Sequence, residues 1–224
     1  MKSFEREVCR TRTARMTAAL LERLAGDDYF VINLGIGFPT AVSDYLECEN
    51  IFLESENGIL GFGPLATEEN RDPDLVNAGD QYVTEKPGIS YFNHTDSFGM
   101  IRGGHLDAVV LGAFEVDSHA NLANWRIPGQ YGVGGAMDLV CGAKCVIVNT
   151  THMSKNGPKL VEACSLTLTG LGCVNYVVTE YGLFHFVDGR WVLEVLPEDT
   201  EAEELRPITG FDFDVAENLT RFAF

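Results

Sequence analysis

Basic charge is scarce in this chain. Sixteen Lys and Arg stand against 33 Asp and Glu, a formal net charge of −17 over 224 residues. Such a chain repels a phosphate backbone, so nucleic acid is disfavoured as a partner. An anionic ligand would need a local cationic pocket or positive charge from another chain. The single basic candidates are Lys86, Arg102, Arg126 and Lys144, and they form no cluster. Long apolar runs are also missing. None reaches the length that spans a bilayer, and Met1 to Arg15 carries charge where a secretory signal has an apolar core. A soluble, cytoplasmic protein without a membrane partner is therefore expected. The six cysteines include no Cys-x-x-Cys pair. Cys141 and Cys145, followed by His152, hint superficially at a metal. Yet Cys145 opens the apolar run Cys145-Val146-Ile147-Val148, where a thiol packs as a small hydrophobe. His94, His119 and His185 have no metal-ligand spacing either. Neither a metal nor a disulfide framework is expected. There is no internal repeat, low-complexity tract or obvious linker. With 46% hydrophobic residues, residues 1–224 are expected to fold as one domain.

Periodicity supplies the elements. Met16, Leu20 and Leu24 fall four apart, which predicts a helix over residues 4–25 that stops at Gly26. Tyr29 to Leu34 reads as a buried strand. Gly35-Ile36-Gly37-Phe38-Pro39-Thr40 follows, and Pro39 or Thr40 opens a short helix through Leu46. The next strand is 51–54. Strand, glycine turn, helix, strand is the unit of a parallel sheet with helices packed on it. The segment from Phe62 to Asp96 is polar and loop-like. Residues 109–111, 145–148 and 174–178 read as further buried strands. Residues 184–187 and 190–195, joined by Asp188-Gly189, read as a β-hairpin. Thr200-Glu201-Ala202-Glu203 resembles a capping box. The fold class is α/β, an open and mainly parallel sheet with an antiparallel hairpin near its C-terminus. The Phe-rich tail from Phe211 to Phe224 either docks on a partner or packs back on its own domain.

Four segments carry possible chemistry. Ile51-Phe52-Leu53 runs into Glu54-Ser55-Glu56-Asn57-Gly58. Residues two apart on a strand share a face, so Glu54 and Glu56 should lie side by side, with Asn57-Gly58 turning the backbone. A carboxylate at a strand end, beside a glycine that lets substrate approach, is placed to act as a nucleophile. Alone, the tripeptide reads as a solvated turn. Gly35-Ile36-Gly37 lacks the third glycine of the dinucleotide fingerprint and is interrupted by Pro39. Its plain reading is a tight turn, although bare N–H groups at a helix start also hold a carboxylate or an oxyanion. Between Gly129 and Asp138, Gly129, Gly132, Gly134 and Gly135 are more glycine than one turn needs. An ordered loop of that kind presents N–H donors to a developing oxyanion. Finally, Ser97, Arg102, His105 and Asp107 suggest a Ser-His-Asp hydrolase. No Gly-x-Ser-x-Gly elbow accompanies them, so Arg102, His105 and Asp107 are expected to form a structural polar network.

Taken together, these segments resemble the class I (3-oxoacid) CoA-transferases, in their β-subunit form, from about residue 10 to about residue 215. The markers are Asn33 to Thr40, Ser55-Glu56-Asn57-Gly58, Val76-Asn77-Ala78-Gly79, Ile101 to Asp107, Leu122-Ala123-Asn124-Trp125 and Gly134 to Leu139. Each is weak alone; six in the family's order are specific. The resemblance implies that Glu56 is the active-site glutamate and forms a glutamyl-CoA thioester in a ping-pong cycle. It implies an oxyanion donor near Gly135, with Gly134, Asn33, Gly35 and Gly37 lining the same pocket. It implies coenzyme A as substrate, no tightly bound cofactor, and a separate α-type subunit in a heterodimer or heterotetramer. The exchanged acid would be a 3-oxoacid such as acetoacetate or 3-oxoadipate. An acyl-CoA hydrolase on the same fold and a non-catalytic small-molecule-binding partner are the alternatives. Three departures stand out. Glu54 occupies a position often held by Gln or His, so like-charge repulsion with Glu56 should raise a pKa. Asp80 stands where several relatives carry Lys. The segment from Trp125 to Gly135 is shorter than in acetoacetate-type relatives.

Overall fold

A computed structural model describes residues 3–127 and 129–224. Helix α1 (Arg6–Ala25) opens the chain and buries Met16, Leu20 and Leu21 along one face. Gly26 ends it at φ 54°, a conformation that costs a residue with a Cβ. Then follow β1 (Phe30–Leu34), β2 (Ile51–Ser55), β3 (Ile59–Leu60), β4 (Ser90–Tyr91), α2 (His94–Arg102), β5 (Ala108–Leu111), α3 (Ala136–Gly142) and β6 (Val146–Asn149). The chain closes with β7 (Tyr176–Thr179), β8 (Gly182–Val187), β9 (Arg190–Pro197), α4 (Ala202–Leu205) and β10 (Phe213–Phe222). These ten strands make one sheet in the order β10-β9-β8-β7-β6-β5-β1-β2-β3-β4. The central five, β7-β6-β5-β1-β2, are all parallel. Antiparallel pairs flank them: β7 with β8, β8 with β9, β2 with β3 and β3 with β4.

The central strands read as unbroken apolar runs because both faces are covered. In β5, Ala108 and Val110 pack with Met16, Leu20 and Leu21 of α1. Their neighbours Val109 and Leu111 pack on the other face with Ile101 of α2 and Leu139 of α3. Strands β6 and β7 divide in the same way: Ile147 and Val178 lie on the α1 side, Val148 and Val177 on the opposite one. Arg12 ties the chain ends to this frame. Its guanidinium bonds both oxygens of Asp199 at 2.7 and 3.1 Å. It also lies 4.3 Å from the centre of the Phe4 ring and 4.2 Å from that of Phe224.

Several expectations need correction. The hairpin at Asp188-Gly189 forms as expected, but β10 then joins β9 in parallel, so most of the Phe-rich tail is an edge strand of its own sheet. The short helix after Gly37 is a 3₁₀ helix, Pro39–Tyr45. The capping box lies one residue later than expected, on Glu201 and Glu204. Helices α2 and α3 were not expected; each begins only at the end of a segment that read as loop, at His94 and at Ala136. Arg102, His105 and Asp107 do not form one network: Arg102 bonds Asp138 at 2.7 Å, and Asp107 accepts from Lys144 at 2.7 Å and from the Val31 amide at 2.8 Å. Among the described residues, no helix is long and apolar enough to cross a membrane.

Candidate active site

The C-terminal ends of parallel strands form the natural crevice of an open α/β sheet, and the two carboxylates lie there. Strand β2 carries Ile51 and Leu53 into the core and ends at Ser55. A tight turn, closed by the Gly58 amide on the Ser55 carbonyl at 2.9 Å, then presents Glu56. Gly58 has φ 116°, and a Cβ there would overlap the Phe92 carbonyl oxygen. Only glycine lets this turn pass so close to the segment entering α2. The turn is pinned from outside. Asn57 donates to the Val76 carbonyl at 2.8 Å, and Ser55 Oγ accepts from the Ala78 amide at 2.8 Å. Two of the sequence markers thus hold each other. Asp80, next along, sits exposed in the following turn at φ 58°.

The carboxylates lie side by side, as the strand period predicts. Asn33, one strand over, donates Nδ2 to Glu54 Oε2 at 2.9 Å and to Glu56 Oε2 at 3.0 Å. Ser97 on α2 supplies Glu54 Oε1 with a contact at 2.7 Å. Glu54 is 4% exposed. Burial pushes its carboxyl above the usual range, against the lowering effect of its Asn33 and Ser97 hydrogen bonds; the charge of Glu56 is the smallest contribution. The expected rise is therefore present, but removal from water, not like-charge repulsion, is its main cause. His94 Nδ1 lies 3.2 Å from the Glu56 carbonyl oxygen.

The expected glycines divide. Gly135 stands at the start of α3, and the position of a Cβ there is 3.6 Å from Glu56 Oε1 and 3.0 Å from the Phe98 ring. Glu56 therefore has one oxygen held by Asn33 and the other facing the bare backbone of Gly135. Gly35 hugs β5, its amide bonded to the Val110 carbonyl at 2.8 Å. A small cavity of ≈ 30 Å³ touches Glu54, Glu56 and Gly35. A wide cleft of ≈ 1090 Å³ is shared by Glu56, Gly35, Gly134, Gly135, Asn124 and Trp125. Gly37 lines neither cavity; at φ 97° it serves the turn.

Charge in the cleft differs from expectation. Lys86, Arg102, Arg126 and Lys144 are not in its wall; Arg6, Lys155 and Lys159 are. Lys159 donates to Thr150 Oγ1 at 2.7 Å, and burial lowers its pKa. Glu180, on the same wall, has its carboxyl raised by burial. Cys145 packs as expected: burial pushes its thiol up to about 12. His152 is fully buried between Thr179 Oγ1 at 3.1 Å and Thr209 Oγ1 at 3.0 Å. Ser97 was missed as a site residue. Its available signal was Asn93, which caps α2 by accepting from the Asp96 amide at 2.9 Å.

An open, largely parallel α/β sheet with a carboxylate pair at a strand end and the bare backbone of Gly135 beside it defines an α/β protein with a candidate active site in the sheet's crevice. The chain belongs to the coenzyme A transferase family, whose model matches residues 14–202. It is 45% identical over 192 residues to the β-type subunit of a probable succinyl-CoA:3-ketoacid coenzyme A transferase of Bacillus subtilis, covering 84% of this chain and 89% of that one. It is 42% identical over 222 residues to the β-type subunit of the 3-oxoadipate CoA-transferase of Pseudomonas putida, covering 97% of each. Among solved structures, an acyl-CoA transferase from Escherichia coli O157:H7 in a thioester complex with CoA superposes with TM-score 0.72 at 16% identity. The match covers 99% of this chain and 44% of that one. The decarboxylase AibA/AibB shares the fold at TM-score 0.69 and 19% identity, over 95% of this chain and 87% of that one. Fold alone therefore does not select the reaction.

Proposed function

We propose that this chain is the catalytic subunit of a CoA-transferase that moves CoA between a short-chain acyl-CoA and a carboxylic acid by way of a thioester on Glu56. Glu56 Oε1 attacks the thioester carbonyl; a C–O bond forms, the C–S bond breaks, and CoA leaves as thiolate. The thiolate then attacks the Glu56 acyl carbon of the resulting anhydride, giving glutamyl-CoA and releasing the donor acid. The acceptor carboxylate runs both steps in reverse. One thioester is exchanged for another, so no ATP is consumed and the kinetics are ping-pong. Each step passes through a tetrahedral oxyanion, and the Gly135 amide is the proposed donor to it. Such a donor is worth roughly 3–4 kcal/mol in the transition state.

The observation that carries this reading is that Glu56 Oε1 lies 3.6 Å from the Cβ position of Gly135 on the wall of the shared cleft, while Asn33 holds Oε2. An acyl carbon bonded to Oε1 would lie beside backbone that has no side chain to block it. Coenzyme A is the proposed substrate, without a tightly bound cofactor. An α-type subunit is the proposed partner, since relatives named as one subunit of a CoA-transferase cover nearly the whole chain. A 3-oxoacid such as acetoacetate or 3-oxoadipate is the proposed acid, in keeping with relatives named for a 3-ketoacid and for 3-oxoadipate.

The test is to assemble the chain with an α-type subunit and to assay CoA exchange across a panel of carboxylic acids. Hydroxylamine trapping and mass spectrometry after acyl-CoA exposure should locate the adduct on Glu56. Glu56→Ala should cut exchange by at least about 10³-fold. An adduct elsewhere, or a sequential mechanism with both substrates bound together, overturns the proposal. Free CoA released without an acceptor acid would favour the hydrolase.

A further inference from the structure

We propose that Glu54 is a positioning residue that works as a neutral carboxylic acid and aims the Asn33 carboxamide at Glu56. This inference rests on the glutamyl-CoA reading above. One amide group serves both side chains. Asn33 Nδ2 has two protons, and its two closest acceptors are Glu54 Oε2 at 2.9 Å and Glu56 Oε2 at 3.0 Å. Its third neighbour, the Glu54 carbonyl oxygen, is farther away at 3.3 Å. Asn33 Oδ1 is buried and has no hydrogen-bond partner. The carboxamide is thus held from its Nδ2 side, by the two glutamates, and whatever strengthens one bond alters the other.

Glu54 has the surroundings of a group that can stay neutral. It is 4% exposed, in contact with a neutral hydroxyl and a neutral amide. As an acid, its Oε1–H donates to Ser97 Oγ, and Oε2 still accepts from Asn33. As an anion, Ser97 donates to Oε1 instead. Both states keep the same heavy-atom contacts; the charge is what changes. Glu56, on the turn, is the titratable group whose charge acts on Glu54. From β1 it meets Asn33 and from α2 Ser97, neither of which titrates; His94 of α2 is directed at the Glu56 backbone.

Neutral Glu54 leaves Glu56 as the one full negative charge on the shared amide. Ionised Glu54 competes for the amide protons and places a second negative charge beside a reaction that builds an oxyanion. Thioester formation should therefore slow as pH rises through the ionisation of Glu54, about tenfold per pH unit beyond the midpoint. Burial, by raising that midpoint, widens the range in which the neutral form is present.

The experiment measures single-turnover formation of glutamyl-CoA against pH in the assembled complex, with the fastest acyl-CoA donor from the exchange panel. Wild type should show the alkaline fall. Glu54→Gln, neutral at every pH, should lose it. Ser97→Ala removes the hydroxyl that supports the anion, so it should move the fall to higher pH. Glu54→Ala should also lose the fall and, below the wild-type midpoint, should be slower than wild type on the order of tenfold, with little change in the acyl-CoA concentration that half-saturates the rate. A fall that persists unchanged in Glu54→Gln, or its absence in wild type, overturns the proposal. Should Glu54→Gln fail to assemble, an unmoved profile in Ser97→Ala overturns it equally. If wild type forms no adduct on Glu56 at all, it is the glutamyl-CoA reading that falls.

Discussion

At the scale of single residues, the site depends on what is left bare. Gly135 faces Glu56 with backbone, and a side chain there would be crowded: its Cβ would lie 3.0 Å from the Phe98 ring, so that the ring would have to give way. Gly135→Ala should lower kcat for CoA exchange, by about 10- to 100-fold through displacement of Glu56 or the α3 amides. Its effect on KM should be smaller; a loss confined to KM would count against Gly135 as part of the reacting geometry. Gly58→Ala combines a positive φ with overlap on the Phe92 carbonyl. It should destabilise the chain by about 2 kcal/mol or more in denaturant unfolding. The neighbourhood of Glu54 and Glu56 was readable because both follow one strand into a glycine turn; the role proposed for Glu56 came from the family resemblance, since the tripeptide alone reads as a solvated turn. Ser97 was not readable, because it reaches Glu54 from 43 residues away. Nothing in a linear pattern says which hydroxyl closes on a buried acid.

At the scale of elements, apolar periodicity made the central strands and α1 legible. Strands buried on both faces are mostly apolar, and β5 is so throughout, while β6 and β7 are apolar up to their last residues, Asn149 and Thr179. The short helices α2 and α3 were not legible. Helix α2 has nine residues and few core positions, Ser97, Phe98 and Ile101, too few to stand out as a period. Its strongest signal is a cap. Asn93→Ala removes the side-chain acceptor for the Asp96 amide and should cost about 1 kcal/mol of stability. It should also slow exchange, because Ser97 hangs from the first turns of that helix. Unchanged denaturation midpoints in Asn93→Ala would argue that the cap is replaced by water. Strand β10 escaped for another reason. Its solvent side is polar, and its pairing with β9 shifts register between Leu193 and Val195, so no clean alternation marks it.

At the scale of the whole molecule, buried ionisable groups set the pH range of stability. His152 is fully buried, and burial lowers its pKa to about 3. An unfolded histidine titrates near 6.5, so below that pH the unfolded chain takes up a proton that the native chain refuses. Stability should therefore be intact above about pH 6.5 and be lost toward pH 3, by up to about 1.4 kcal/mol per pH unit from this residue. Glu54 and Glu180, both raised by burial, act with opposite sign: above the ordinary carboxylate range, their stabilising contribution falls as pH rises. A comparison with His152→Gln isolates the histidine. The stability difference between wild type and variant should shrink by about 2 kcal/mol from pH 7 to pH 5, read from chemical denaturation. No change in that difference would mean that His152 titrates normally in the native fold.

Arg12 stands between Phe4 and Phe224, so the first described residues and the last ones meet over a single cation. A circular permutant is therefore geometrically simple. A short glycine-serine bridge can join Phe224 to Ser3, and new termini can open at the exposed Asp188-Gly189 turn, where no core side chain is disturbed. Such a rewired chain should keep its sheet order, and labels placed at Phe4 and at Phe224 will report on the same corner of the protein.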